Sequence, residues 1–287
     1  MNQTPALSEA ANQVASMLQT RIAQSQLDVP MLPEVASKVV TLSQNPESDA
    51  NKLAQLIQSD QALAGHVMHI ANSAAYSPNG SLISLQQAIT RLGMNLISDI
   101  ALAASISAKM FKAPGYEKHI TGIWRHALAT ALWGKEIARV CRRNVEATFL
   151  CGLLHSIGRP VTLQSVLELA HKAKLELSEE DVQQLEEQYH TQVGMAVAQR
   201  WAMPKIVCES IEFFHQYEDA NLAKEQTTMI NGGAVFATHQ LSPDLLSAAN
   251  LIELPVLADL NLYEDEIETL MDKKDDIKST MEAMLGR

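Results

Sequence analysis

Four histidines in the second half of the chain, His126, His155, His190 and His215, each stand among apolar or aromatic neighbours. Imidazoles carried by separate helices into one bundle core are a common way to assemble a metal site. These four follow no fixed spacing, so any shared chemistry depends on the fold bringing them together. Each is expected at the start or the end of a helix. His155 is the most informative, because it closes the stretch Ala147-Thr148-Phe149-Leu150-Cys151-Gly152-Leu153-Leu154-His155-Ser156-Ile157-Gly158. Phe149, Leu150, Leu153, Leu154 and Ile157 leave almost no polar face, which is the pattern of a helix buried on all sides. Gly158 and Pro160 then stop it. A histidine in that position is either a hydrogen-bonded core residue or a member of a polar site inside a helical bundle.

The elements that must carry these residues are expected to be helices throughout. Apolar residues make up 47% of the 287 and aromatics only 5%, a balance that favours helix over strand. A first helix is predicted from about Pro5 to Ser25, on the stripe Val14, Met17, Leu18 and Ile22. Pro30 and Pro33 force extended backbone before a second helix lined by Val35, Val39 and Leu42, which ends before Asn45-Pro46. Ser48 is the expected cap of a short helix with Leu53, Leu56 and Ile57, and Ser59-Asp60 starts the next. A loop is expected at Ser77-Pro78-Asn79-Gly80. Ser84 and Gln87 match a capping box, and a longer helix over about Asn95 to Met110 is the expected spine between two halves.

Lys112-Ala113-Pro114-Gly115-Tyr116 is the best boundary. Beyond it the pattern predicts a helix through Trp124 and His126 to Ile137, the central helix ending at His155, and another from Pro160 to Lys172. An acidic start follows at Ser178-Glu179-Glu180-Asp181, and a separate helix opens at Tyr189-His190 and reaches Trp201. Met203-Pro204 restarts a helix that ends at Phe213-Phe214-His215. Further helices hold Ala234 to His239 and Ala248 to Leu260, and one amphipathic helix runs from Tyr263 to the end.

A formal charge of −11 argues against a partner gripped through phosphates, so nucleic acid is not expected. Arg139, Arg142 and Arg143 cluster where a helix closes and suit its dipole. Cys141, Cys151 and Cys208 have no metal spacing and no even count for a disulfide framework. With no leader pattern and no apolar run of spanning length, the expectation is a soluble cytoplasmic protein without a membrane partner. Residues 1 to about 112 contain no phosphate loop, nucleophile elbow or paired carboxylate on an apolar face. Asn72 and Ser73 either read a ligand between the lobes or satisfy backbone groups at a helix end. Trp124, Trp133 and Trp201 are expected to pack lobes, with Trp124 a candidate ligand-pocket wall.

The segment Leu153-Leu154-His155-Ser156-Ile157-Gly158 resembles the signature of the HD superfamily of metal-dependent phosphohydrolases, in which an Asp follows the histidine. Leu32-Pro33-Glu34-Val35, Ser59-Asp60-Gln61-Ala62-Leu63, Ala71-Asn72-Ser73-Ala74-Ala75-Tyr76 and Gln87-Ala88-Ile89-Thr90-Arg91-Leu92-Gly93 resemble, in order and spacing, the HDOD domain, an HD-related output domain of bacterial signalling proteins. The likeness spans roughly residues 27 to 240. Gln61 departs from it, since proline is usual there. The resemblance implies an all-α, two-lobed fold: an N-terminal helix (1–26), an N-terminal helical lobe (27–112), an HD-like lobe (113–262) and a C-terminal amphipathic helix (263–287).

The resemblance also implies a regulatory protein that acts by binding a signalling partner or a small ligand through a degenerate HD-like site. Ser156 marks the degenerate position. Thr238 and His239 stand where the later HD carboxylate is expected. Two divalent ions about 3.7 Å apart repel by roughly 18 kcal/mol at an effective dielectric of about 20, so a pair needs anionic bridging ligands. The expectation is therefore no cofactor, with a single Zn, Mn, Fe or Ni ion at His126, His155, His190 and His215 as the alternative. That alternative corresponds to a metal-dependent phosphohydrolase with a non-standard ligand set.

Overall fold

The protein, seen in a computed structural model, is described over residues 7–43, 49–73, 75–77, 82–106 and 110–285. Among these residues every regular element is a helix, in agreement with the all-α expectation. The first six are α1 (Glu9–Ala23), α2 (Glu34–Ser43), α3 (Ala50–Gln58), α4 (Gln61–Ala71), α5 (Leu85–Leu92) and α6 (Met94–Ser105). The second half follows with α7 (Glu117–Val140), α8 (Val145–Leu154), α9 (Gly158–Ala173), α10 (Glu179–Arg200) and α11 (Lys205–Glu212). A 3-10 segment (Phe214–Asp219) leads into α12 (Lys224–Leu241), α13 (Ala248–Ile252), α14 (Pro255–Asp259), α15 (Glu264–Met271) and α16 (Lys274–Met284). No helix among the described residues is long and apolar enough to cross a membrane.

Local chemistry sets most of these ends. Ser8, Asp60 and Ser84 each accept a backbone N–H at a helix start. The Gln87 side chain accepts from the Ile83 N–H at 3.0 Å, one residue before the Ser84 cap, so only half of the expected box forms. Asp49, not Ser48, caps α3, and its carboxylate takes the Lys52 N–H at 2.8 Å. Asn45, Pro46, Ser48, Ala74 and the turn at Pro78-Asn79-Gly80 lie outside the described residues.

Three expected helices are divided differently, and the one predicted over Ala248 to Leu260 is two, α13 and α14, because Pro255 opens a new first turn. The separate helix predicted to open at Tyr189 does not exist: α10 runs unbroken from Glu179 to Arg200. Val182, Leu185, Glu186, Tyr189, His190, Val193 and Val197 form one buried stripe at helical spacing, and this tertiary burial carries the helix through its polar stretch. The predicted single C-terminal helix is two, α15 and α16. They are divided by a turn at Asp272-Lys273, where the Lys273 ammonium reaches Glu136 on α7.

The N-terminal lobe is built by α2 to α6. Helix α1 docks instead on α9 and α10 of the second lobe. There Ser8 donates to the Asp181 carboxylate from both its N–H and its hydroxyl, and Arg21 pairs with Glu168 at 3.5 Å. The Trp201 indole N–H donates to the Pro30 carbonyl at 2.8 Å and fixes the irregular segment that leads from α1 to α2. A buried ion pair, Asp99 on α6 with Lys135 on α7, joins the two halves.

Close backbone contact positions the histidine-bearing helices. A Cβ on Gly233 of α12 would lie 2.6 Å from the Thr130 carbonyl oxygen of α7. One on Gly158, at the start of α9, would lie 1.9 Å from the His190 carbonyl oxygen and 2.5 Å from the Gly194 nitrogen of α10. Only glycine admits such approaches.

Candidate functional site: a histidine cleft with two unlike halves

A cleft of about 780 Å³ opens between α7, α9, α10 and the 3-10 segment, and His126, His155, His190 and His215 all line it. His155 follows the last residue of α8, and His215 lies in the 3-10 segment. His126 and His190 do not sit at helix ends as expected but in the middle of α7 and α10. His190 belongs to the buried stripe of α10, and His126 is half-buried beside that of α7.

The four imidazoles form two pairs. His126 and His155 have ring centroids 6.3 Å apart, and His190 meets His215 edge-on at 5.3 Å. In the first pair the polar atoms are largely engaged. The Thr238 hydroxyl gives its proton to the Ala234 carbonyl at 2.8 Å, so at 3.0 Å it accepts from His126 Nε2–H. Thr130 Oγ1 lies 3.4 Å from the other ring nitrogen, Nδ1. His155 Nδ1–H donates to the Gly152 carbonyl at 2.7 Å, which fixes the tautomer and leaves Nε2 as an acceptor. Its ring leans on Phe214 with centroids 4.4 Å apart.

Burial favours the neutral form of three of the cleft's imidazoles, His126, His155 and His190. Burial pushes the His155 pKa down to about 3, against the Gly152 bond, which favours the protonated ring, and with smaller help from His126 and Arg159. Burial and Arg159 lower His126 in the same direction and bring His190 to about 4. Arg159 is a half-buried cation of the site. It donates to Glu186 at 3.0 Å and to Glu187 at 2.8 Å, while His119 Nε2 lies 2.8 Å from the other Glu186 oxygen.

The second pair has a carboxylate beside it. Glu187, His190 and His215 each offer a donor atom, all within 4.8 Å of one another. The sequence reading missed Glu187 and Arg159. A Glu-x-x-His spacing on one helix face would have found Glu187, but only with α10 read as continuous.

A paired-cation centre does not fit this donor set. Ser156 supplies no charge next to His155, Thr238 supplies a hydroxyl to His126, and Glu186 is committed to Arg159 and His119. No anion among these residues stands between His126 and His155 to offset two divalent charges. The Glu187, His190 and His215 cluster matches in kind a site for one divalent ion, with two imidazoles and one carboxylate.

The other candidates lie elsewhere. Trp124 is buried on α7 and is not part of the cleft lining. Asn72 ends α4, and its amide pairs with both the N–H and the carbonyl of Leu82, at 2.6 and 2.9 Å. The Ser73 hydroxyl is buried without a hydrogen-bond partner among the described residues.

Comparison with known proteins gives a consistent result. The HDOD domain profile matches residues 29–217. A Treponema pallidum (strain Nichols) protein is 23% identical over 201 residues, covering 67% of this chain and 39% of that protein. The chain thus spans about two fifths of the length of that relative. A Shewanella amazonensis structure provisionally named a metal-dependent phosphohydrolase superposes with a TM-score of 0.72 at 20% identity, covering 96% of this chain and 100% of the other. A Geobacter sulfurreducens HDOD domain protein gives 0.72 at 21% identity, covering 96% and 98%. A Marinobacter aquaeolei structure provisionally named a signal transduction protein gives 0.67 at 21% identity, covering 96% and 66%. At such identities the likeness concerns the fold.

Proposed function

Because the chain belongs to the HDOD family, we propose that it is a non-catalytic regulatory protein of bacterial signalling that receives a partner protein or a small ligand at the histidine cleft. The observation that carries this reading is the Thr238 hydroxyl bonded to His126 at 3.0 Å. With Ser156 beside His155, it makes that half of the cleft a neutral hydrogen-bonding surface, without the charge needed to clasp paired cations. The test is incubation of purified protein with Mn²⁺ and with cyclic dinucleotides and nucleotides. No turnover is expected. Turnover that disappears in His155→Ala would overturn the reading.

A second reading rests on the Glu187, His190 and His215 cluster. One divalent ion held there would supply Lewis-acid polarisation of a bound oxygen, the chemistry of a phosphohydrolase with a non-standard ligand set. Arg159, bonded to Glu187 Oε2, would orient the carboxylate and leave Oε1 toward the imidazoles. Elemental analysis and titration with Zn²⁺ and Mn²⁺ decide it. Stoichiometric metal lost in Glu187→Gln and in His215→Ala supports this reading, and absence of binding ends it.

A further inference from the structure

We propose that the cavity between the two lobes, walled by α6 and α8, is a binding site for a small organic cation, an amine or guanidinium compound with an apolar body. The cavity has a volume of about 460 Å³, within the range of small-molecule sites, and it lies at a lobe interface where such sites concentrate. It is remote in composition from the histidine cleft, and the two share no lining residue.

Charge identifies the occupant. Two carboxylates, Asp99 and Glu146, line the cavity, and no Lys, Arg or His does. Asp99 is 6% exposed, and Lys135 approaches its Oδ2 without itself lining the space. Asn95, Ser98 and Asn144 add neutral polar groups to the same lining. Glu146 stands on the facing wall, where it accepts from Asn95 at 2.6 Å. A neutral donor leaves its charge uncompensated.

The rest of the lining is largely aliphatic, with Leu102, Ala147 and Leu150 among it, which suits a hydrocarbon body behind one cationic head. An anion would face both carboxylates at short range in a partly desolvated space, and is excluded on that ground. The state of Asp99 agrees with this assignment. Burial raises its pKa to about 6 despite Lys135 and the more distant Arg139, with Glu146 adding to the rise. The carboxylate is therefore under-compensated, and a second cation would stabilise its ionised form.

The test uses the full chain, labelled with ¹⁵N and titrated in parallel with 2-phenylethylamine, the neutral 2-phenylethanol and the anionic 3-phenylpropionate. The expected result is saturable amide shifts in residues 95–102 and 144–150 for the amine, at least about tenfold tighter than for the alcohol, and none for the acid. Glu146→Gln, which leaves the Asp99–Lys135 pair intact, is expected to weaken the amine about threefold. Ala147→Leu, which fills the cavity without touching either charge, is expected to abolish binding while the far-ultraviolet circular dichroism stays native. Failure of the amine to bind, equal binding of the alcohol, or undiminished binding in Ala147→Leu overturns the proposal.

Discussion

Gly158→Ala is the sharpest test of how the histidine cleft is held together. The added methyl would begin 1.9 Å from the His190 carbonyl oxygen and 2.5 Å from the Gly194 nitrogen, whereas ordinary contact begins near 3.4 Å. The start of α9 and the middle of α10 must therefore part by about 1.5 Å. Both obstacles are backbone, so no side chain can rotate away, and the strain falls on one of the most extensive helix contacts in the protein. Overpacking of this kind costs about 1–3 kcal/mol, and the rigid surroundings place this case near about 3 kcal/mol. For a chain of 287 residues that corresponds to a fall in Tm of roughly 5 °C. The assay is thermal and urea unfolding followed by circular dichroism.

Gly65→Ala supplies the control. That glycine is also helical, is exposed, and has nothing within 4 Å of a built Cβ. It should gain about 0.5–1 kcal/mol from helix propensity. If Gly158→Ala loses less than about 1 kcal/mol, or if the two variants behave alike, close backbone approach is not what sets His155 against α10.

Three further outcomes are expected. Asn72→Ala should lose about 1–2 kcal/mol in urea unfolding, because both bonds to the Leu82 backbone go with the amide, and ligand binding in either cavity should not change. The Asp99 carboxyl titrates near 6 in the folded protein against 3.8 as a free group, so between these values the folded state holds more protons than the unfolded one. Stability should accordingly fall as pH rises from about 4 to about 6, by up to roughly 3 kcal/mol, and Asp99→Asn should flatten that slope in pH-dependent melts. Ser156→Asp should raise affinity for Mn²⁺ or Zn²⁺ by about tenfold or more in equilibrium dialysis. No change would show that His155 and its neighbours do not address a common ion.

The helical fold was legible because its signals are local. The Asp60 and Ser84 caps and the apolar run Phe149 to Leu154 each declare themselves within a few residues. What local patterns misjudged were long helices sustained by burial. Glu187-Gln188-Tyr189 reads as polar punctuation, yet Tyr189 and His190 belong to a stripe buried from Val182 to Val197. That error hid the pairing of Glu187 with His190. The four imidazoles were visible as residue types, but their division into two pairs was not. It depends on Thr238, Gly152 and Phe214, which come from three separate elements and carry no sequence signal of their own. Arg159 was invisible for the same reason, being an ordinary charge until α10 brings Glu186 and Glu187 against it.

The balance of charge in the cleft follows from those contacts. A site built to hold cations lowers the pKa of its acids and leaves imidazole lone pairs free. Here a half-buried guanidinium occupies the carboxylates, and the hydroxyl of Thr238 takes the hydrogen that His126 offers. Each substitution exchanges a long-range ionic demand for a short, saturable hydrogen bond. His155 Nε2 remains as an acceptor beside the aromatic face of Phe214, and His190 and His215 keep their edges toward Glu187. An incoming molecule therefore meets neutral hydrogen-bonding groups on one side and a single carboxylate with two imidazoles on the other. Paired cations would have to displace Arg159 from both glutamates before they could bind, at the loss of a charge-assisted hydrogen bond to buried Glu186 of about 1.5–3 kcal/mol and of a solvent-screened pair with Glu187 worth about 1 kcal/mol or less.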